Sequence, residues 1–85
     1  MSYEIRWSQK SEKYLGKLPK KASQRVVHKV DSIKEDPFRF IEHHEGESCF
    51  KLRIGDYRVF LDINPSEKIV SVRVVGHRRN IYKRA

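Results

Sequence analysis

The chain has 85 residues and a formal net charge of +8, with 19 Lys and Arg against 11 Asp and Glu. This length predicts one small domain, residues 1–85, with a modest core. The single cysteine excludes an internal disulfide, and no apolar run approaches the roughly 18–20 residues that span a bilayer. We expect a soluble cytoplasmic protein, whose charge attracts nucleic acid, an anionic membrane or an acidic protein.

The N-terminal half predicts a strand followed by two helices. Aromatic and aliphatic residues alternate with charged ones over Tyr3–Trp7, which indicates a strand. A first helix follows, with Ser8 or Ser11 as its N-cap, and stops before Pro19. A second, amphipathic helix is predicted over Lys20–Asp36, and the two form a helical hairpin. The apolar stripe of the second helix is Ala22, Val26, Val30 and Ile33.

The C-terminal half predicts an antiparallel meander after a polar connector at residues 37–47. Turn residues at Gly55-Asp56 and at positions 64–67 separate the runs with strand character. The predicted fold class is α+β: the N-terminal strand joins the meander in one sheet, the helical hairpin packs on one face of that sheet, and a short helix ends the chain. The three predicted strands of the meander cover residues 49–54, 57–63 and 69–75.

Because strand side chains alternate between two faces, the sequence predicts which residues share a face. The apolar face, expected under the helices, comprises Phe50, Leu52, Ile54, Val59, Leu61, Ile63, Val70, Val72 and Val74. The opposite face is expected to be open and to collect four cations, Lys51, Arg53, Arg58 and Arg73.

The last eighteen residues, 68–85, carry six Lys or Arg and no Asp or Glu. A predicted strand there leads into His77, Arg78 and Arg79, and Tyr82 follows. A charge run by itself is usually a solvated tail. Here the cations alternate with apolar and aromatic residues and follow the basic sheet face, which favours a site that binds a phosphate backbone.

These residue types are sufficient to cleave RNA without a metal or cofactor. The 2′-hydroxyl attacks the adjacent phosphorus, the 5′-oxygen leaves, and a 2′,3′-cyclic phosphate forms. The reaction needs a base, an acid and cations for the charge on the phosphate oxygens. Arg58 and Arg78 suit the charge, because arginine stays protonated and binds two oxygens. The proton-transfer candidates are His77, Tyr82 and Lys51, and the sequence does not choose among them. Further RNA contacts are expected from Lys51, Arg53, Arg73, Arg79 and Lys83.

Other chemistry has little support in the sequence. Cys49 has no nucleophile motif around it and is expected to be a small, semi-buried residue. The pair His43-His44 lacks a second pair of ligands at zinc spacing, and no Gly-rich phosphate loop is present. The sequence therefore predicts neither a metal site nor a cofactor.

Two segments resemble the RelE/ParE superfamily of bacterial and archaeal toxins. Residues 50–59, FKLRIGDYRV, are similar to the K-L-R-x-x-x-Y-R segment of that superfamily. Residues 75–82, VGHRRNIY, are similar to its V-G-x-R…Y ending. The order of the predicted elements also resembles the superfamily over nearly the whole chain. The gap from Arg78 to Tyr82 is shorter than in the best-known bacterial form, and Cys49 stands where that form has a lysine.

The resemblance implies a RelE-like toxin of a type II toxin–antitoxin system. Such toxins are ribosome-dependent endoribonucleases that cut mRNA in the A site and stop translation, and an acidic RelB-like antitoxin neutralises them. The resemblance assigns basic sheet residues to Lys51, Arg53 and Arg58, the C-terminal arginine to Arg78 and the catalytic tyrosine to Tyr82. It also places His77 where some members have a lysine. Two alternatives stay open: a non-catalytic inhibitor of DNA gyrase, as in the ParE branch, and a basic RNA-binding module without chemistry.

Overall fold

The computed structural model describes residues 2–43 and 49–81. Over these residues the chain forms a five-stranded sheet and two α-helices, with a 3-10 turn at Pro37–Arg39. This arrangement confirms the predicted α+β class. In chain order the elements are β1 (Glu4–Trp7), α1 (Gln9–Lys17), α2 (Lys20–Ser32), β2 (Glu42–His43), β3 (Phe50–Ile54), β4 (Tyr57–Asn64) and β5 (Ile69–His77).

The strands lie in the order β1-β5-β4-β3-β2. The meander of β3, β4 and β5 is antiparallel as predicted, and β1 joins the same sheet as a parallel neighbour of β5. The short strand β2 is a finding that the sequence did not predict, because two residues are too few to show a period. It extends the sheet beyond β3 and places Glu42 opposite Lys51.

Local hydrogen bonds explain the helix boundaries. The hydroxyl of Ser8 accepts from the backbone N–H of Ser11 at 3.0 Å, so Ser8 is the N-cap of α1. The second helix ends at Ser32, four residues before the predicted end at Asp36. At that point the carbonyl of Lys34 accepts from the backbone N–H of Tyr3 at 2.8 Å, which ties the chain leaving α2 to the start of β1.

The main core lies between α2 and the sheet. The predicted stripe of α2 is buried, and Val26, Val30 and Ile33 have no exposed surface. Burial of apolar surface of this kind is the main stabilising contribution in a domain of this size. The sheet residues of this core are Leu52, Ile54, Val59, Leu61, Val70, Val72 and Val75.

A β-bulge in β5 reverses the faces of its C-terminal half. Leu61 lies opposite Val72, but Phe60 lies opposite Val74, so Arg73 is an extra residue in β5. A single inserted residue moves every later side chain to the other face. The prediction that Val74 faces the helices is therefore wrong, and Val75 takes that position.

The face opposite α2 carries a second apolar cluster, so the prediction of a wholly open basic face is also wrong. Phe60 and Val74 are neighbours across β4 and β5, and both are buried. Ile81, which follows β5, covers them and is fully buried, and Tyr14 packs against the same cluster. The segment after β5 is thereby anchored on this face. The predicted short C-terminal helix, which would carry Arg78 and Tyr82 on one side, is not confirmed: residues 78–80 form a turn, and residues 82–85 lie outside the described residues.

Candidate functional site

Two predicted site arginines meet at the turn between β3 and β4. This turn consists of Gly55, which has a φ of 57°, and Asp56. Nη1 of Arg58 donates to the carbonyl of Gly55 at 2.7 Å and to that of Tyr57 at 2.8 Å. The backbone N–H of Arg78 donates to the carbonyl of Asp56 at 2.8 Å. The turn therefore holds Arg58 by its side chain and Arg78 by its backbone.

Arg58 is buried, not exposed as the sequence pattern indicates, with 6% of its surface accessible. Its cross-strand partner is Gly76, which has no side chain to compete for the space beside the guanidinium. Within the described residues, no carboxylate lies within 4.0 Å of Arg58, and its side chain donates hydrogen bonds to the two turn carbonyls. A buried cation satisfied only by carbonyl dipoles attracts an anion.

Four other cations of the predicted site each lie close to a carboxylate. Glu42 on β2 bridges Lys51 and Arg53, with N···O distances of 3.6 Å to each. The sequence did not predict a role for Glu42, because its position follows from the unpredicted strand β2. These exposed ion pairs are weak, typically about 0–1 kcal/mol, so a phosphate can replace the carboxylate. The remaining pairs are Arg73 with Asp62 at 3.7 Å and Arg78 with Asp56 at 3.6 Å.

His77 lies on the helix side of the sheet, opposite Tyr57 in the β4–β5 ladder. The two rings make an edge-to-face contact with centroids 5.6 Å apart. This placement follows from the bulge, because uninterrupted alternation would put His77 on the face of Arg73 and Arg58. His77 therefore lies at the end of the sheet near the Gly55-Asp56 turn, but on the face opposite to Arg58.

The hydrogen bonding of His77 defines its chemical character in this conformation. Its Nδ1 accepts from the backbone N–H of Arg79 at 3.2 Å. A neutral imidazole with Nδ1 as acceptor carries its proton on Nε2. The free nitrogen of His77 is therefore a hydrogen-bond donor. His77 can accept a proton at Nδ1 only after the hydrogen bond from the N–H of Arg79 opens.

The remaining predicted site residues are placed only in part. Arg79 is exposed in the turn that follows β5. Tyr82 and Lys83 lie outside the described residues, so their roles stay predictions.

Within residues 2–43 and 49–81, no three His, Cys, Asp or Glu side chains are grouped to hold a metal ion. Neither helix of that same part of the chain has the length and apolar character that a membrane crossing requires.

A sequence model of one protein family matches nearly the whole chain. The family is described as "ParE toxin of type II toxin-antitoxin system, parDE", and the match covers residues 5–82. No curated protein matches the chain significantly.

Several solved structures share the fold. One is the toxin–antitoxin complex RelBE2 from Mycobacterium tuberculosis, with 26% sequence identity and a TM-score of 0.83 over 92% of this chain and 100% of that one. Another is the archaeal RelE–RelB complex from Pyrococcus horikoshii OT3, with 25% identity and a TM-score of 0.75 over 92% and 97%. A mutant of the E. coli toxin RelE in the free state has 22% identity and a TM-score of 0.77 over 98% and 93%, which shows likeness of fold.

Proposed function

Because this chain belongs to the ParE toxin family of type II toxin–antitoxin systems, we propose that it is a ribosome-dependent endoribonuclease that cuts mRNA in the A site and thereby inhibits translation. The RelE/ParE superfamily contains both RNA-cleaving and non-catalytic toxins, so membership alone does not decide between these activities. Two solved relatives with at least 25% identity are RelE-type toxins in complex with antitoxins, which favours the nuclease.

The observation that carries the proposal is the state of Arg58. Its guanidinium is desolvated, is held by the carbonyls of Gly55 and Tyr57, and lies near no carboxylate in the described part of the chain. Such a group is prepared to stabilise negative charge without first reorganising, which is the largest catalytic contribution in many enzymes. Arg78 lies at the same turn with an exposed side chain, so it reaches a bound phosphate from solvent.

The proposed reaction is metal-independent transesterification. A base takes the proton of the 2′-hydroxyl, the 2′-oxygen forms a bond to phosphorus, and the bond from phosphorus to the 5′-oxygen breaks. An acid protonates the leaving oxygen, and a 2′,3′-cyclic phosphate remains. Arg58 and Arg78 bind the phosphate oxygens. Lys51, Arg53, Arg73, Arg79 and Lys83 bind the RNA on either side.

The proton transfers are assigned to His77, Tyr82 and Lys51 together. In the observed conformation the Nε2–H of His77 can hydrogen-bond to the leaving oxygen. To transfer a proton to that oxygen, His77 must first be protonated at Nδ1, which displaces the N–H of Arg79. The base is then Tyr82 or Lys51. Lys51 contacts Glu42 at 3.6 Å and must release that carboxylate to take part.

The second candidate function is inhibition of DNA gyrase, which the ParE name of the matched family favours. A protein that only binds gyrase needs no uncompensated guanidinium beside proton-transfer residues. The same reasoning applies to a basic RNA-binding module without chemistry. We therefore rank both below the nuclease.

The proposed partners follow from this activity. The ribosome presents the mRNA, and the protein acts in the cytoplasm where ribosomes are found. An acidic RelB-like antitoxin would neutralise it, because the chain carries a net charge of +8 and two relatives with at least 25% identity are solved as complexes with antitoxins.

The test is to incubate the purified chain with ribosomes paused on a defined mRNA and to map the new 5′ ends by primer extension. We expect cuts within the A-site codon that require the ribosome. Gyrase supercoiling is measured with the same preparation. Intact mRNA together with inhibited supercoiling would identify the ParE-type activity, and intact mRNA with RNA binding alone would identify the non-catalytic module.

A further inference from the structure

A third arginine, Arg25 of α2, contacts the same turn from the helix side. A methyl group at Gly55 would stand 3.0 Å from Nη2 of Arg25 and 3.7 Å from its Cζ. The guanidinium of Arg25 therefore lies against the backbone of Gly55, where a side chain would otherwise be. Glycine at this position allows both the positive φ and this close approach.

Arginines from three separate parts of the chain thus converge on a two-residue turn. Arg25 comes from α2, Arg58 from β4 and Arg78 from the segment after β5. The described residues supply one carboxylate within 4.0 Å of this group, that of Asp56, which pairs with Arg78. Neither Arg25 nor Arg58 has a carboxylate within that distance in the described part of the chain.

We propose that Arg25 is a positioning residue that binds an RNA backbone phosphate next to the scissile one. Arg58 reaches the turn from the face opposite the helices, whereas Arg25 reaches it from the helix side. An RNA strand that crosses the end of the turn therefore meets Arg58 and Arg78 at one phosphate and Arg25 at a neighbouring phosphate. A planar guanidinium suits this role because it binds two phosphate oxygens at once.

This inference rests on the proposed function for the identity of the ligand, RNA, but it does not require that the RNA be cleaved. Ordinary surface charge is the competing explanation for Arg25, because its side chain is exposed. The two explanations differ in salt dependence. A phosphate contact releases counterions, and a single-stranded RNA site loses about 0.7 from its slope of log K against log salt for each contact removed.

The experiment measures binding of a short fluorescent single-stranded RNA by anisotropy across a series of KCl concentrations. The nucleotide at the cut site carries a 2′-deoxy substitution, so that the probe stays intact. The variants are Arg25→Gln and Arg25→Lys. The matched control is Arg6→Gln, an identical change at an exposed site on β1. Arg6 pairs with Ser71 of β5, which lies six residues before His77, so Arg6 is roughly 20 Å from the turn.

We expect Arg25→Gln to reduce the magnitude of the salt slope by about 0.7, whereas Arg6→Gln leaves it unchanged. Arg25→Lys should keep the slope but bind more weakly than the wild type, because the charge is retained and the fork is lost. In ribosomal cleavage, Arg25→Gln should lower kcat/KM by about tenfold, the effect of one charge-assisted hydrogen bond.

A wild-type salt slope in Arg25→Gln would overturn the proposal, even if Arg78→Ala abolished cleavage. If Arg25→Gln reduces the salt slope but the wild type does not cleave mRNA, the phosphate contact of Arg25 is supported and the proposed nuclease activity is wrong. A wild-type protein that binds no RNA at any salt concentration would overturn both.

Discussion

Arg58 and Arg78 are held at consecutive carbonyls of one turn: Nη1 of Arg58 donates to Gly55 at 2.7 Å, and the backbone N–H of Arg78 donates to Asp56 at 2.8 Å. The two residues are distant in sequence and differ in exposure. Arg58 is almost fully buried, whereas the side chain of Arg78 is 54% exposed. Substitutions at the two positions should therefore have different consequences for stability, although both should reduce cleavage.

Arg78→Ala should lower the cleavage rate by roughly 10²-fold or more, the usual effect of removing one positioned donor to a developing oxyanion. Its stability should change by less than about 0.5 kcal/mol, because the substitution keeps the backbone bond to Asp56 and removes only an exposed side chain. Cleavage kinetics and urea unfolding measure the two effects. Arg6→Ala is the control, since it removes the same charge on the distant strand β1. Equal cleavage rates in Arg78→Ala and Arg6→Ala would contradict the assignment.

Arg58→Ala should lower cleavage and stability together. The expectation from sequence alone, that an exposed cation at this position contributes little to folding, does not hold for a residue with 6% exposure. Loss of its hydrogen bonds to two turn carbonyls should cost about 1.5–3 kcal/mol in the free energy of unfolding. Urea denaturation at equilibrium measures this cost, with Arg53→Ala on the adjacent strand as the exposed control. An unchanged midpoint for Arg58→Ala would mean that the turn does not depend on this side chain.

Glu42→Gln should strengthen RNA binding. The carboxylate of Glu42 contacts both Lys51 and Arg53, so its removal takes away a negative charge that competes with phosphate at these cations. An exposed pair contributes about 0–1 kcal/mol, and the affinity should therefore rise by up to about fivefold. Glu35→Gln makes the same charge change at an exposed position after α2. Anisotropy with single-stranded RNA compares the two, and an equal gain in both variants would show that only net charge matters.

The roles of His77 and Tyr82 can be separated by substitutions that keep part of each side chain. Gln keeps a hydrogen-bond donor but cannot transfer a proton, so His77→Gln and His77→Ala should both lower the rate by roughly 10²–10⁴-fold if His77 is the acid. Tyr82→Phe removes only the hydroxyl and should lower the rate by roughly 10–10³-fold. Single-turnover cleavage measures all three. An inactive His77→Gln beside a fully active Tyr82→Phe would transfer the base role to His77.

The sequence predicts the strands of the meander and the buried stripe of α2, because both depend on local periodicity. It does not predict the bulge at Arg73, which depends on pairing between β4 and β5. The consecutive residues Val74 and Val75 are both apolar, so either could face the helices, and only the pairing places Val75 there. The position of His77 follows from that bulge.

The surroundings of the site depend on register rather than on composition. Gly76 lies opposite Arg58 only once β4 and β5 are paired, and this pairing explains why the guanidinium is buried. Glu42 neutralises part of the basic face because a two-residue strand brings it beside β3. Residue types alone identify the cations of the site, but not that Arg58 has no carboxylate within 4.0 Å among residues 2–43 and 49–81.

The central claim is that the chain cleaves mRNA by attack of the 2′-hydroxyl in the ribosomal A site. The most direct measurement compares two mRNAs on paused ribosomes, one all-ribose and one with a single 2′-deoxy nucleotide at the mapped cut site. We expect the all-ribose mRNA to be cut and to carry a 2′,3′-cyclic phosphate at the new 3′ end, while the deoxy mRNA stays intact. Equal cleavage of both, or intact all-ribose mRNA at protein concentrations that inhibit DNA gyrase, would contradict the claim.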